Sequence, residues 1–284
     1  MKYRPIFIAS TGRAGSTLLM KILASHPEIV VRTLFPYETR AAQYYYIADR
    51  EQINITNFAP IVWNNTEYRP FQGNDTQSHL WSQKQTSLDN QHPQESFEAY
   101  YSFVNKLESK NQLSASNFAE KLIGLSLIRP MLASFPQTKI VFLSRDPRDT
   151  FFSIKSFNKK RGYLSFGEEH GDFVLFNNII NFYKHCRNMQ DKLEKRSYIS
   201  IKYEDLIGSK TTTTYKLFES LDLEITNSRV VDIVDNAFTD SSKSLQHKTT
   251  SNAQSSIARW KQETDKEILE MFEQFENSIV EVGY

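Results

Sequence analysis

Pro5-Ile6-Phe7-Ile8-Ala9-Ser10-Thr11-Gly12-Arg13-Ala14-Gly15-Ser16-Thr17-Leu18-Leu19-Met20 is the stretch that decides how this chain folds. A short apolar run rich in β-formers breaks at small residues. It then resumes with the 3.6-residue spacing of a helix through Leu18, Leu19, Ile22 and Leu23. Strand, glycine-bearing turn and helix together aim backbone N–H groups and a helix dipole at one anion. Gly12 and Gly15 permit close backbone approach, Ser16 and Thr17 add hydroxyl donors at the helix start, and Arg13 supplies a fixed charge. The stretch reads as a phosphate cradle. A tight strand-to-helix turn with no ligand is the plain alternative. The nucleoside-triphosphatase ending, Gly-Lys-Ser/Thr, is missing, because Gly15 is followed directly by Ser16.

A second segment repeats the pattern. Lys139-Ile140-Val141-Phe142-Leu143 is a continuous apolar run, as expected for a strand buried in a parallel sheet. It leads into Ser144-Arg145-Asp146-Pro147-Arg148-Asp149, where Pro147 suits the first turn of a helix whose apolar face holds Phe151, Phe152 and Ile154. Arg145 is thereby placed at a strand's carboxyl end, with Ser153 inside the following helix. Taken without a ligand, the four charges from Arg145 to Asp149 would only balance a helix dipole in solvent.

These residues carry a family resemblance. Arg13-Ala14-Gly15-Ser16-Thr17-Leu18-Leu19 resembles the 5′-phosphosulfate-binding loop of the sulfotransferases, and Arg145 and Ser153, eight positions apart, are similar to that family's 3′-phosphate-binding pair. Ser200-Ile201-Lys202-Tyr203-Glu204-Asp205-Leu206 resembles its Tyr-Glu-Asp-Leu segment, whose Tyr approaches the adenine. Ser255-Ser256-Ile257-Ala258-Arg259-Trp260-Lys261 resembles its nucleotide-closing loop, although Arg-Lys-Gly of the animal cytosolic version is absent. Arg259, Ser255 and Ser256 are candidates to complete that phosphate site, with Lys248 a weaker one; Tyr203 and Trp260 could equally be core aromatics. The resemblance implies a P-loop-like α/β fold. It implies 3′-phosphoadenosine-5′-phosphosulfate as co-substrate, no metal, and transfer of its sulfuryl group to an acceptor hydroxyl.

Such transfer needs in-line placement, a base and positive charge at the leaving oxygen. By resemblance Arg13 neutralises that oxygen, where many relatives use Lys. Lys121, 24 residues before Arg145, stands at the offset of the catalytic Lys in the cytosolic relatives' Lys-Thr-His. The His of that motif is replaced by Ile123. Tyrosylprotein and carbohydrate relatives use a Glu after the first helix instead. Here Phe35-Pro36-Tyr37-Glu38-Thr39-Arg40 offers Glu38 as base and Arg40 as its partner or an acceptor contact, 25 residues after Arg13 and somewhat further than in those relatives. The plain readings are a surface Glu–Arg pair and a solvated helix-start lysine. His26 ends the first helix with Pro27, and the other five histidines, His79, His92, His170, His185 and His247, have no base-like or metal-like spacing.

Composition narrows the classes. A net charge of +1 over 284 residues argues against a nucleic-acid binder. One cysteine, Cys186, excludes a disulfide framework, and no run approaches the ~20 apolar residues of a membrane span. The cradle begins almost at Met1, leaving no room for a leader, so a cytoplasmic location is expected and Asn54 and Asn74 are chance glycosylation matches. Residues 1–284 are read as one domain with a central, mainly parallel sheet flanked by helices on both faces. A variable acceptor-side or lid region spans about 40–120. Within it 64–95 is polar, rich in Asn, Gln, Ser and Thr, and reads as a long loop or a disordered insertion.

Helices are expected over 40–50, 97–107, 122–134, 172–194, 211–222 and 264–281, with a strand near 197–202. The acceptor could be a small molecule, carbohydrate, lipid or peptide hydroxyl, and oligomeric state is not legible. Two other classes are a P-loop-type nucleotide or metabolite kinase, and a non-catalytic nucleotide-binding module.

Overall fold

The structure, a computed structural model, describes residues 2–51, 61–63, 66–68, 93–108, 115–122, 124–239, 249–250 and 252–284. Most of the polar stretch 64–95, together with Ile123, Lys248, His79, His92 and His247, lies outside the described residues. Strands β1 (Arg4–Ala9), β2 (Ile29–Val30), β5 (Asn117–Lys121), β6 (Lys139–Ser144) and β7 (Tyr198–Lys202) make one sheet in the order β2-β5-β1-β6-β7. β5 is parallel to both β1 and β2, in a register that sets Ile8 beside Lys121. A separate hairpin pairs β3 (Ile61–Trp63) with β4 (Thr66–Tyr68). Parallel neighbours that are not consecutive in sequence require crossovers, and helices supply them, so the fold is α/β as expected.

The chain forms two compact units, Met1–Ala9 with Thr17–Ile140, and Ser10–Ser16 with Val141–Tyr284. The first is built on β1, whose Ile6, Phe7 and Ile8 are fully buried. Helix α1 (Ser16–Ala24) buries Leu19, Met20, Ile22 and Leu23, the predicted face. Helices α2 (Ala41–Arg50) and α3 (Pro93–Glu108) bring a tyrosine-rich core. Tyr101 stacks on Phe118 of β5 with centroids 4.0 Å apart, and Phe7 meets Phe118 edge-on at 5.8 Å. The expected helix over 122–134 is shorter than read. Among the described residues of that span only Ile128–Ser134 (α4) is α-helical, after a 3-10 turn at Leu125–Leu127, and the five residues before Leu122 form β5. Three of those five are polar, which disguised the strand. Each is buried against a specific partner, so tertiary bonding overrides the pattern.

The second unit holds α5 (Pro147–Arg161), α6 (Asp172–Gln190), α7 (Tyr203–Gly208), α8 (Lys210–Ser220), α9 (Asn227–Phe238), α10 (Lys266–Gln274) and α11 (Glu276–Glu281). Its core centres on Phe151, Phe176 and Phe272, whose rings lie 4.9–5.9 Å apart. Burying each such side chain contributes about 1.5–3 kcal/mol. The expected final helix is two helices that meet at Phe275. α9 was not expected at all, although Thr226 caps it and Val230, Ile233, Val234 and Ala237 repeat at helical spacing. Among the described residues no helix is long and apolar enough to cross a membrane.

Candidate active site

The loop after β1 has the shape its glycines require. Arg13 and Gly15 take positive φ, 67° and 99°, the left-handed region from which anion-binding loops are built. What approaches the glycines is aromatic. A Cβ on Gly15 would meet Tyr203 Cδ2 at 2.4 Å, and one on Gly12 would meet Phe166 Cε1 at 2.4 Å. Two rings of this chain therefore pack against these glycines on the side where a side chain would stand. Ala14 is fully buried and Ser16 begins α1.

Arg145 leaves β6 nearly buried, 4% exposed, and is built into the same unit. Its Nη1 donates to the Arg13 carbonyl at 3.0 Å and its Nη2 to the Ser256 carbonyl at 2.6 Å. Its guanidinium lies over the Tyr203 ring, and its backbone N–H donates to the Tyr183 hydroxyl at 3.2 Å. Its Nε is buried with no hydrogen-bond partner among the described residues; Asp149 and Glu204 feel its charge, but no carboxylate there lies at ion-pair distance from it. The Arg13 guanidinium lies 4.2 Å over the Phe157 ring. Burial first, then Arg145, bring Arg13 down to about 10, against an opposing pull from Tyr203. Arg259 is likewise lowered, by burial and then by Arg145; its Nη2 donates to Ser156 Oγ at 3.1 Å and its buried Nη1 has no partner among the described residues. Arg145 thus lowers both Arg13 and Arg259, and the three guanidiniums form a positive field that suits a multiply charged anion.

The segment from Ser256 to Trp260 is fastened to α5. Ser256 Oγ lies 3.0 Å from the Tyr203 hydroxyl. Asp149 is fully buried, and its carboxylate accepts from Ala258 N at 2.6 Å and Trp260 N at 3.4 Å, across the left-handed turn at Ala258. Burial and then Asp146 raise Asp149 above its ordinary value. Trp260 is stacked by Arg148, whose guanidinium sits 3.6 Å from the ring, so one face of this indole is already used within the chain. Asp146 caps α5 and grips Arg148 with both oxygens. Ser153 is buried, with its hydroxyl 3.5 Å from Thr249 Oγ1. Sequence reading gave Asp149 no role of its own, apart from the plain alternative of a solvated helix start. A second acid one turn after a capping Asp was the available sign.

In the first unit Lys121 and Glu38 meet. Lys121 is a buried strand-end residue rather than a solvated lysine at a helix start. Its Nζ donates to Glu38 Oε1 at 2.8 Å, to the Pro36 carbonyl at 2.7 Å and to Thr17 Oγ1 at 3.1 Å. The other oxygen of Glu38 is paired with Arg40. The predicted Glu38–Arg40 pair therefore exists, with Lys121 as a third member. Sequence reading missed Glu120, which is 1% exposed. His26, His170 and His185 do not join either group; His26 Nδ1 accepts from Glu28 N instead. Among the described residues no three His, Cys, Asp or Glu side chains gather as metal ligands would.

Burial raises Glu120 from 4.5 to about 8. A carboxyl raised in the fold stabilises it fully below the unfolded value and loses that contribution as pH climbs through the folded one. The contribution of Glu120 to stability is therefore expected to fall between about 4.5 and about 8, and Glu120→Gln to remove that component of the pH dependence, as read by urea unfolding across the interval.

The profile of the sulfotransferase family matches residues 5–227. The chain belongs to the sulfotransferase family. Among curated proteins no sequence matches it. In fold this sulfotransferase is similar to the sulfotransferase domain from the curacin biosynthetic pathway, with TM-score 0.54 and 18% identity over 96% of this chain and 98% of that one. It is also similar to retinol dehydratase in complex with androsterone and the inactive cofactor PAP, with TM-score 0.51 and 15% identity over 98% and 80%. A mouse sulfotransferase complexed with PAP gives TM-score 0.53 and 10% identity over 98% and 84%. Likeness at these identities establishes the α/β sulfotransferase fold.

Proposed function

We propose that this sulfotransferase moves the sulfuryl group of 3′-phosphoadenosine-5′-phosphosulfate to a hydroxyl of its acceptor. The observation that carries the reading is Arg145, a buried guanidinium between the Arg13 and Ser256 carbonyls with an unpartnered Nε and no paired carboxylate among the described residues. Two phosphate-bearing ends of one nucleotide suit that chemistry. The 5′ end belongs with the Arg13–Thr17 loop and the start of α1, the 3′-phosphate with Arg145, Ser153, Ser256 and Arg259, and the base with Tyr203 and Trp260. Two of the fold relatives were crystallised with PAP, which supports the assignment.

In the proposed reaction the acceptor oxygen forms a bond to sulfur as the bridging sulfur–oxygen bond breaks. The electron pair stays with the 5′-phosphate oxygen, which Arg13 stabilises, and the acceptor proton passes to Glu38. Lys121 and Arg40 hold Glu38 in place. The acceptor is a hydroxyl compound, for which small molecules, carbohydrates, lipids and peptides are the classes to screen.

Arg145→Ala tests the nucleotide part. Loss of its charge-assisted bonds is expected to weaken binding of 3′-phosphoadenosine-5′-phosphate (PAP) by about 10- to 100-fold in calorimetry. Equal affinity in the variant and the wild type would remove the proposed 3′-phosphate site.

A further inference from the structure

β5 ends in two consecutive charged residues that are both buried, and the proposed reaction uses only Lys121. Glu120 is held at the start of α2. Its Oε1 accepts from Ala41 N at 2.8 Å and its Oε2 from Ala42 N at 3.1 Å, and the Tyr101 hydroxyl is bonded to Oε1. These amides belong to the helix turn whose N–H groups have no intrahelical acceptor, and the dipole there favours a carboxylate. The same strand end holds the Pro36 carbonyl through Lys121. Pro36 to Ala42, with Glu38 between them, is therefore fastened at both ends by two adjacent residues of one strand.

We propose that Glu120 is a positioning residue for Glu38, fixing the backbone on which that carboxylate stands. The proposal rests on the reading of Glu38 as the base. Burial opposes a carboxylate at this place, and only the Tyr101 phenol, the two amides and nearby Arg40 pull the other way. An apolar side chain would fill the space without that penalty. What it would not do is accept from Ala41 and Ala42.

Glu120→Gln keeps the shape but sets an NH₂ where an oxygen now accepts, so Ala42 N loses its 3.1 Å acceptor and keeps only the longer, 3.4 Å approach to the remaining oxygen. With donor and acceptor saturating, kcat is expected to fall about 10-fold, with PAP Kd and acceptor KM unchanged. In a Glu38→Gln background the same replacement should have no further effect, measured by single turnover with labelled donor. An unchanged kcat, a loss of equal size in both backgrounds, or a change confined to PAP affinity would each overturn the proposal. Wild-type turnover by Glu38→Gln alone would instead overturn the base assignment and this inference with it. Should Glu120→Gln not fold, Tyr101→Phe takes its place. It removes the phenol but keeps the ring stacked on Phe118, so a smaller loss with the same pattern is expected and an unchanged kcat counts against the proposal.

Discussion

Glu38→Gln is expected to lower kcat by about 10²- to 10⁴-fold while leaving PAP affinity unchanged. The glutamine matches glutamate in shape, and its amide oxygen can still accept from Lys121 Nζ, which lies 2.8 Å from the present carboxylate. What it cannot do is take up the acceptor's proton. The nucleotide contacts assigned here are made by other residues, Arg13, Arg145, Ser256 and their neighbours, so binding reports that the variant is folded. Single-turnover transfer of labelled sulfate, beside calorimetry with PAP, separates the two quantities. Retained turnover would reassign the base. A parallel loss of turnover and nucleotide affinity would make Glu38 a structural residue.

Arg13→Gln is expected to reduce kcat by about 10²- to 10³-fold, the range for removing one donor from a site of developing negative charge. Its guanidinium is fixed over Phe157, and burial together with Arg145 lowers it only to about 10. The charge is therefore intact at neutral pH and is lost only as pH rises through about 10. Arg13→Lys keeps a cation at this loop and should recover a large part of the loss, since many relatives by resemblance carry Lys there. The check is kcat for all three forms at saturating donor. A glutamine variant as active as wild type would remove Arg13 from the chemistry.

The site was legible in unequal parts. The strand–loop–helix unit announced itself because β1 and α1 are locally consistent, an apolar strand and an apolar helix face on either side of small residues. Arg145 was legible for the same reason, an uninterrupted buried strand followed by a Pro-started helix. β5 was not, because Asn117, Glu120 and Lys121 break the apolar pattern. Their burial is explained by partners distant in sequence: Arg4 and Glu28 for Asn117, Ala41 and Tyr101 for Glu120, Glu38 for Lys121. The glycines were legible as necessary, but what they admit was not. Only the fold brings Tyr203 to Gly15 and Phe166 to Gly12. α9 is the reverse case, a helix whose cap and apolar spacing were present in the sequence and went unread.

The central claim is that the Arg13 loop and the Arg145 cluster receive the two phosphate-bearing ends of one nucleotide. Calorimetric titration with PAP and with adenosine 5′-phosphate, which lacks the 3′-phosphate, tests it most directly. The account predicts that PAP binds about 100-fold or more tightly than adenosine 5′-phosphate, since the 3′-phosphate adds charge-assisted bonds to buried guanidiniums. Equal affinities for the two nucleotides would contradict it.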